Sequence, residues 1–124
     1  MISREHADEA SDATGYAAMK EILSSRPLPD GVFCYNDPTA MGAMQAAIEK
    51  GLRIPQNLAI IGVGNVRYSK FLRVPLSTID QHSEQIGERA AKLALKLIDA
   101  KAPAKPSTIL LTPELIVRES SARR

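Results

Sequence analysis

Between residues 7 and 25 the apolar positions Ala13, Tyr16, Met19 and Leu23 recur at helical spacing, the acidic Glu5, Asp8, Glu9 and Asp12 come early, and no proline intervenes before Pro27. That pattern predicts a long helix over Ala7–Ser25. Pro29-Asp30-Gly31 then makes a turn, and Val32-Phe33-Cys34-Tyr35 is a short apolar, β-favouring run of the kind covered on both faces in a central parallel strand. In Asn36-Asp37-Pro38, Asp37 suits an N-cap and Pro38 the first helical position, where its missing donor costs nothing. The second helix predicted there carries Met41, Met44, Ala47 and Ile48 on one face, and Gly51 stands where a left-handed residue would end it.

A turn-rich link, Leu52–Asn57, leads into Leu58–Val63, a second strand of buried type; after an irregular stretch, Arg67–Pro75, Leu76–Ile79 reads as a third. Ser83, read as the exposed cap, begins a third helix through about Ala100. It has a broad apolar face (Ile86, Ala90, Leu93, Ala94, Leu97, Ile98) and Glu88, Lys92 and Lys96 at four-residue spacing on a polar one. Ala102–Pro106 is a linker, and two short strands, Thr108–Leu111 and Glu114–Val117, precede a polar tail. Alternating helices and strands imply crossover units around a parallel sheet, so the fold class is α/β, with the ligand crevice at loops following the carboxyl ends of strands. Those loops are Tyr35-Asn36-Asp37 and Val63-Gly64-Asn65.

Composition narrows the function. The 124 residues are 44% hydrophobic and 24% charged with a net charge of +2, which suits one globular domain and neither a disordered chain nor a membrane protein. Five aromatic residues, no tryptophan and scattered positive charge offer no surface for nucleic acid. The single cysteine, Cys34, cannot form an intrachain disulfide or a cysteine-based zinc site, and Met1–His6 has no apolar signal core, so a cytoplasmic location is expected.

Each chemical motif in the chain also admits a plain structural role. Gly62-Val63-Gly64 follows a strand, but Arg67 stands where a dinucleotide fingerprint needs its third glycine, so a tight turn is the reading. His6 and His82 are far apart without regular carboxylate partners, and adjacent His82 and Ser83 are poorly placed to act as base and nucleophile. Cys34, inside an apolar run, reads as a buried inert thiol. No catalytic set, metal site or cofactor emerges. Asn36 and Asn65, polar residues ending buried strands, fit either ligand contact or a turn; Gln81 fits either a crevice or an exposed linker.

The run Asp30–Asp37, the helix segment Ala40–Met44, Ile54-Pro55, Ile60-Ile61-Gly62, Pro75–Gln81, Ile86-Gly87 with its alanine-rich continuation, and the ending Pro113–Ser120 together resemble the C-terminal half of a LacI/GalR-family transcriptional regulator, in family order and spacing across nearly the whole chain. The resemblance implies a three-layer parallel-sheet lobe of periplasmic-binding-protein-like type, present as a fragment. It binds a small-molecule effector between two lobes, works as a dimer, and contacts DNA only through an N-terminal helix-turn-helix outside this sequence. It further implies that residues 1–82 form the C-terminal lobe, that 83–106 are a helix and linker of the other lobe, and that 107–124 return to the first. On that reading the apolar face of the third helix lacks the sheet it would cover, and the isolated chain is expected to self-associate, by exchange of residues 83–100 between copies.

Effector contacts carried over by the resemblance fall on Asn36 of the Asn36-Asp37 pair, on Gly64 and Asn65, and near Gln81. Here the family's usual Gly-Phe-Asp-Asp is Gly62-Val63-Gly64-Asn65, so the usual carboxylate is missing at Gly64, and Arg67 could contact an anionic effector instead. A sugar-like or phosphorylated effector is implied; a protein partner in place of a small molecule is a further possibility. The alternative of the same fold is the solute-binding protein of an ABC sugar importer.

Overall fold

The computed structural model describes residues 11–100 and 106–122. Helix α1 (Asp12–Ser24) is capped by Ser11, whose backbone is extended (φ −122°) and whose hydroxyl accepts the Thr14 N–H at 3.3 Å. The helix therefore starts five residues later than the periodicity predicts; Glu5, His6, Asp8 and Glu9 lie outside the described residues. Its packed positions also differ. Ala13 is exposed, while Gly15 joins Met19 and Leu23 as buried, because the helix crosses α2 too closely there for a side chain.

Strand β1 (Gly31–Phe33) leads to α2 (Asp37–Glu49), β2 (Ala59–Val63), a turn of 3₁₀ helix at Ser69–Phe71, β3 (Ser77–Asp80), α3 (Ser83–Asp99) and β4 (Glu114–Ile116). The sheet order is β1-β2-β3-β4, with the first three strands parallel and β4 antiparallel to β3, pairing Ile79 with Leu115. The α/β class with a largely parallel sheet is the one expected. The core lies between α1, α2 and the sheet: Met19 and Leu23, the small-residue face Ala40, Ala43 and Ala47 with Met44, and Leu58, Ile60 and Leu76. Helix α2 ends on Gly51 as predicted. At φ +83° its N–H bonds the Ile48 carbonyl and the Leu52 N–H bonds that of Ala47, satisfying the last carbonyls of the helix.

Four local expectations are corrected. Strand β1 is an edge strand among the described residues, with Phe33 and Tyr35 63% and 76% exposed; its apolar run alternates, Cys34 facing inward and its neighbours outward. Strand β2 likewise buries only alternate residues, Ile60 and Gly62. Thr108–Leu111 forms no strand: a β-favouring run needs a neighbouring ladder, and Leu110 is 88% exposed. Finally, Ser83 is the first residue of α3 rather than its cap, a place taken by His82 in a left-handed conformation (φ 55°) without a capping side-chain bond.

Helix α3 has no buried residue. Its polar side carries the expected Lys92–Glu88 ion pair, while Ile86, Leu93, Leu97 and Ile98 stand exposed. The expected linker lies outside the described residues except for Pro106.

Candidate functional site

The carboxyl ends of the parallel strands meet the start of α2 at one rim. Asn36, not Asp37, caps α2: its Oδ1 accepts the Thr39 N–H at 2.9 Å, which moves Asp37 to the first turn and points its side chain inward. The capping expectation is thus corrected by one residue, because the extended backbone that a cap requires falls on Asn36 (φ −152°, ψ 173°). Asp37 is fully buried, and both its oxygens are engaged: Oδ1 accepts the Thr78 hydroxyl at 2.6 Å and Oδ2 the Val66 N–H at 2.9 Å. Gly62 makes room for this carboxylate, since a Cβ there would overlap Asp37 Oδ1. Gly62, expected in a tight turn, instead lies in β2 and leaves room for a buried aspartate.

Past β2 the backbone turns through two left-handed residues, Gly64 (φ 120°) and Asn65 (φ 47°); asparagine is among the side chains that tolerate this region. The Gly64 N–H bonds the Ile79 carbonyl at 2.8 Å and the Asn65 N–H bonds Thr78 Oγ1 at 3.2 Å, so Thr78 links Asp37 to Asn65. The Asn65 side chain is held at both ends. Its Nδ2 donates to Asp80 Oδ2 at 3.0 Å, and its Oδ1 accepts from Arg118 Nη2 at 2.7 Å. Arg118 in turn donates through Nη1 to the Leu76 carbonyl at 2.8 Å and to Ser69 Oγ at 3.1 Å. The tail behind it is stitched to the sheet by Ser77, whose Oγ donates to the Arg118 carbonyl, and by Ser120, whose Oγ donates to the Ile60 carbonyl at 2.6 Å and accepts the Ser77 N–H. Every buried polar side-chain atom among the described residues has a partner.

Asp80 is held below the ordinary carboxylate range, chiefly by the His82 backbone N–H that donates to its Oδ1 at 2.7 Å, then by the Asn65 amide. The Cys34 thiol is pushed up to about 11 by burial and secondarily by Asp37, as befits an inert core thiol.

Of the residues singled out in the sequence, the structure gathers Asn36, Asp37, Gly64 and Asn65 at this rim. Arg67 is exposed on the loop after it. Gln81 lines a different hollow of about 520 Å³ between α3 and the segment after the linker, with Ile86 and Leu93 on one side and Ile109 and Leu111 on the other. Thr78, Asp80 and Arg118 were missed as site residues. Asp80 could have been found by the rule that pointed to Asn36 and Asn65, as a polar residue ending a strand; Arg118 has no local signal.

A family model for the periplasmic binding protein-like domain matches residues 2–121. The HTH-type transcriptional repressor PurR of Pasteurella multocida is 42% identical over 110 residues, covering 89% of this chain and 33% of that protein. PurR of Yersinia enterocolitica is 43% identical over 109 residues, covering 88% and 32%. Among solved structures, a LacI family transcriptional regulator from Enterococcus faecium with bound ribose matches with a TM-score of 0.81 at 31% identity, over 90% of this chain and 41% of that one. The complex of the transcriptional regulator CelR with cellobiose matches with a TM-score of 0.83 at 28% identity, over 90% and 34%. The chain spans about a third of the length of the curated relatives it matches.

Proposed function

The chain belongs to the periplasmic binding protein-like domain family, and from that premise we propose that it is the effector-binding part of a LacI-type transcriptional regulator that senses a small molecule by closure of two lobes. The observation that carries this reading is the similarity to PurR repressors across nearly nine-tenths of the chain, joined to a rim of polar groups at the carboxyl ends of parallel strands, where ligands of such sheets bind. Relatives of the same fold hold ribose and cellobiose; a polyol-like effector is the class proposed here. The domain works by binding rather than catalysis, in the cytoplasm, and reaches DNA through a reader that lies elsewhere in the parent protein. Effector binding shifts the population between lobe arrangements that differ in affinity for it.

Asn36, Asn65 and Arg67 are proposed as effector contacts, with Gly64 leaving space at the rim; Gln81, which lines the separate hollow beside α3, stands apart from them. Asp37 supports them from beneath, since its carboxylate is spent on Thr78 and Val66. The residues up to 82 form one lobe and return to it after 106, while 83–106 belong to the other. Because Asn36 also caps α2, the test uses Asn36→Ser, which preserves capping. In a thermal-shift screen of the full-length parent against sugars and phosphosugars, the parent is expected to be stabilised by at least one compound, and Asn36→Ser to lose most of that shift while melting normally without ligand. A shift that survives the substitution removes Asn36 from the site; no stabilising compound at all argues against the polyol class.

Two apolar surfaces support self-association. One is a groove of about 300 Å³ on the outside of α2, lined by Met41, Met44, Ile48, Leu72 and Val74; the other is the uncovered face of α3. Each large apolar side chain left in water forgoes roughly 1.5–3 kcal/mol of burial. Light scattering across a concentration series is expected to show a mass that rises above the monomer, and Leu93→Glu to reduce it. A monomer at every concentration defeats the proposal.

A further inference from the structure

Two carboxylates stand at the carboxyl ends of the parallel strands, and they differ in what remains free. Asp37 is sealed, with both oxygens bonded inside the fold. The Asp80 side chain is 27% exposed, and each of its oxygens accepts one hydrogen bond, Oδ2 from Asn65 and Oδ1 from the His82 N–H, with His82 Nδ1 a further 3.9 Å from Oδ1. A carboxylate oxygen has two acceptor sites, so Asp80 keeps acceptor capacity toward solvent.

Arg118 decides how this group is presented. A guanidinium has donors only, so the Asn65 carboxamide must turn its oxygen to Arg118, and its amide nitrogen then faces Asp80. The Arg118 fork is itself fixed by the Leu76 carbonyl and Ser69 Oγ. The result is a carboxylate held in one orientation beside the left-handed turn at Gly64 and Asn65.

We infer that Asp80 is a specificity-determining residue of the effector crevice, the acceptor for a ligand hydroxyl, and that Arg118 is its positioning residue acting through Asn65. This rests on the proposed effector-binding reading. It selects ligands that offer hydroxyl donors at that edge and disfavours anionic groups there, which must approach a fixed negative charge.

The test titrates the full-length parent with ribose and with cellobiose, following affinity by calorimetry for the parent, Asp80→Asn, Arg118→Lys and Arg118→Ala. For whichever sugar binds, Asp80→Asn is expected to weaken affinity about tenfold or more, the scale of a charge-assisted bond. Arg118→Ala is expected to weaken it less, with Arg118→Lys restoring part of the loss; Asp80→Asn, whose amide must face either the Asn65 or the His82 donor, melts lower without ligand, so affinities are compared at a temperature where every variant is folded. A sugar that binds Asp80→Asn within about twofold of the parent overturns the inference and leaves the effector-binding reading standing. Failure of both sugars to bind the parent overturns the hydroxyl assignment together with the polyol reading on which it rests.

Discussion

Gly42→Ala is expected to destabilise the chain by about 3 kcal/mol or more, although alanine is the better helix former by about 1 kcal/mol. Helices α1 and α2 form the most extensive pairing of elements in the fold. At their crossing a Cβ on Gly42 would overlap the Asp12 carbonyl and the Tyr16 backbone, and one on Gly15 would overlap the Thr39 carbonyl. Each glycine thus admits the backbone of the opposite helix, and backbone cannot rotate away as a side chain can. The methyl would force the helices apart and loosen the buried cluster to which Met19 and Leu23 of α1 and Ala43 and Met44 of α2 belong. Gly87 is the control. A Cβ there meets nothing, so Gly87→Ala in exposed α3 is expected to be neutral or to stabilise by up to about 1 kcal/mol. Denaturant midpoints measured side by side check both, and a Gly42→Ala midpoint equal to the parent's refutes the close crossing.

The second large effect is expected at Asp37. Replacing it by alanine removes the acceptor for the fully buried Thr78 hydroxyl and for the Val66 N–H, and opens a void beside Gly62. A buried hydroxyl and a half-buried N–H left without partners cost about 2–3 kcal/mol together. The loss has a local signature, because Thr78 Oγ1 also accepts the Asn65 N–H at 3.2 Å. Amide exchange at Asn65 and Val66 should speed up before the rest of the sheet does. A double-mutant cycle of Asp37→Ala with Thr78→Val should give a coupling of about 1–3 kcal/mol; additive effects would mean that the two side chains do not act together. Function should follow stability here, since the turn at Gly64-Asn65 that borders the proposed crevice rests on this buried pair.

Much of the architecture was legible along the chain because its signals are short-ranged. The order of helices and strands, the left-handed end of α2 at Gly51 and the strand-end placement of Asn36 and Asn65 follow from periodicity, glycine conformation and the position of polar residues next to apolar runs. Expectations failed where burial or pairing depends on distant elements, as at Val32–Tyr35 and Thr108–Leu111, and where neighbouring residues compete for one role. Asn36 and Asp37 both have oxygens suited to capping, and only the packing of Asp37 beneath Gly62 assigns the cap to Asn36. At α3 the cap position falls instead on His82, which makes no capping side-chain bond, because the backbone bond from His82 to Asp80 sets the turn.

By itself the sequence determined the α/β order, the largely parallel sheet and the polar rim at the carboxyl ends of its strands, because alternation, caps and turns act over a few residues. The tertiary structure decided what the rim contains. Arg118 reaches Asn65 across 53 positions of chain and Ser120 reaches Ile60 across 60, and such bonds depend on how the last strand returns along β3. No local pattern encodes that distance. Likewise, Val32-Phe33-Cys34-Tyr35 reads as apolar whether or not anything covers it; which of its faces is buried is settled by the helices that pack against the sheet.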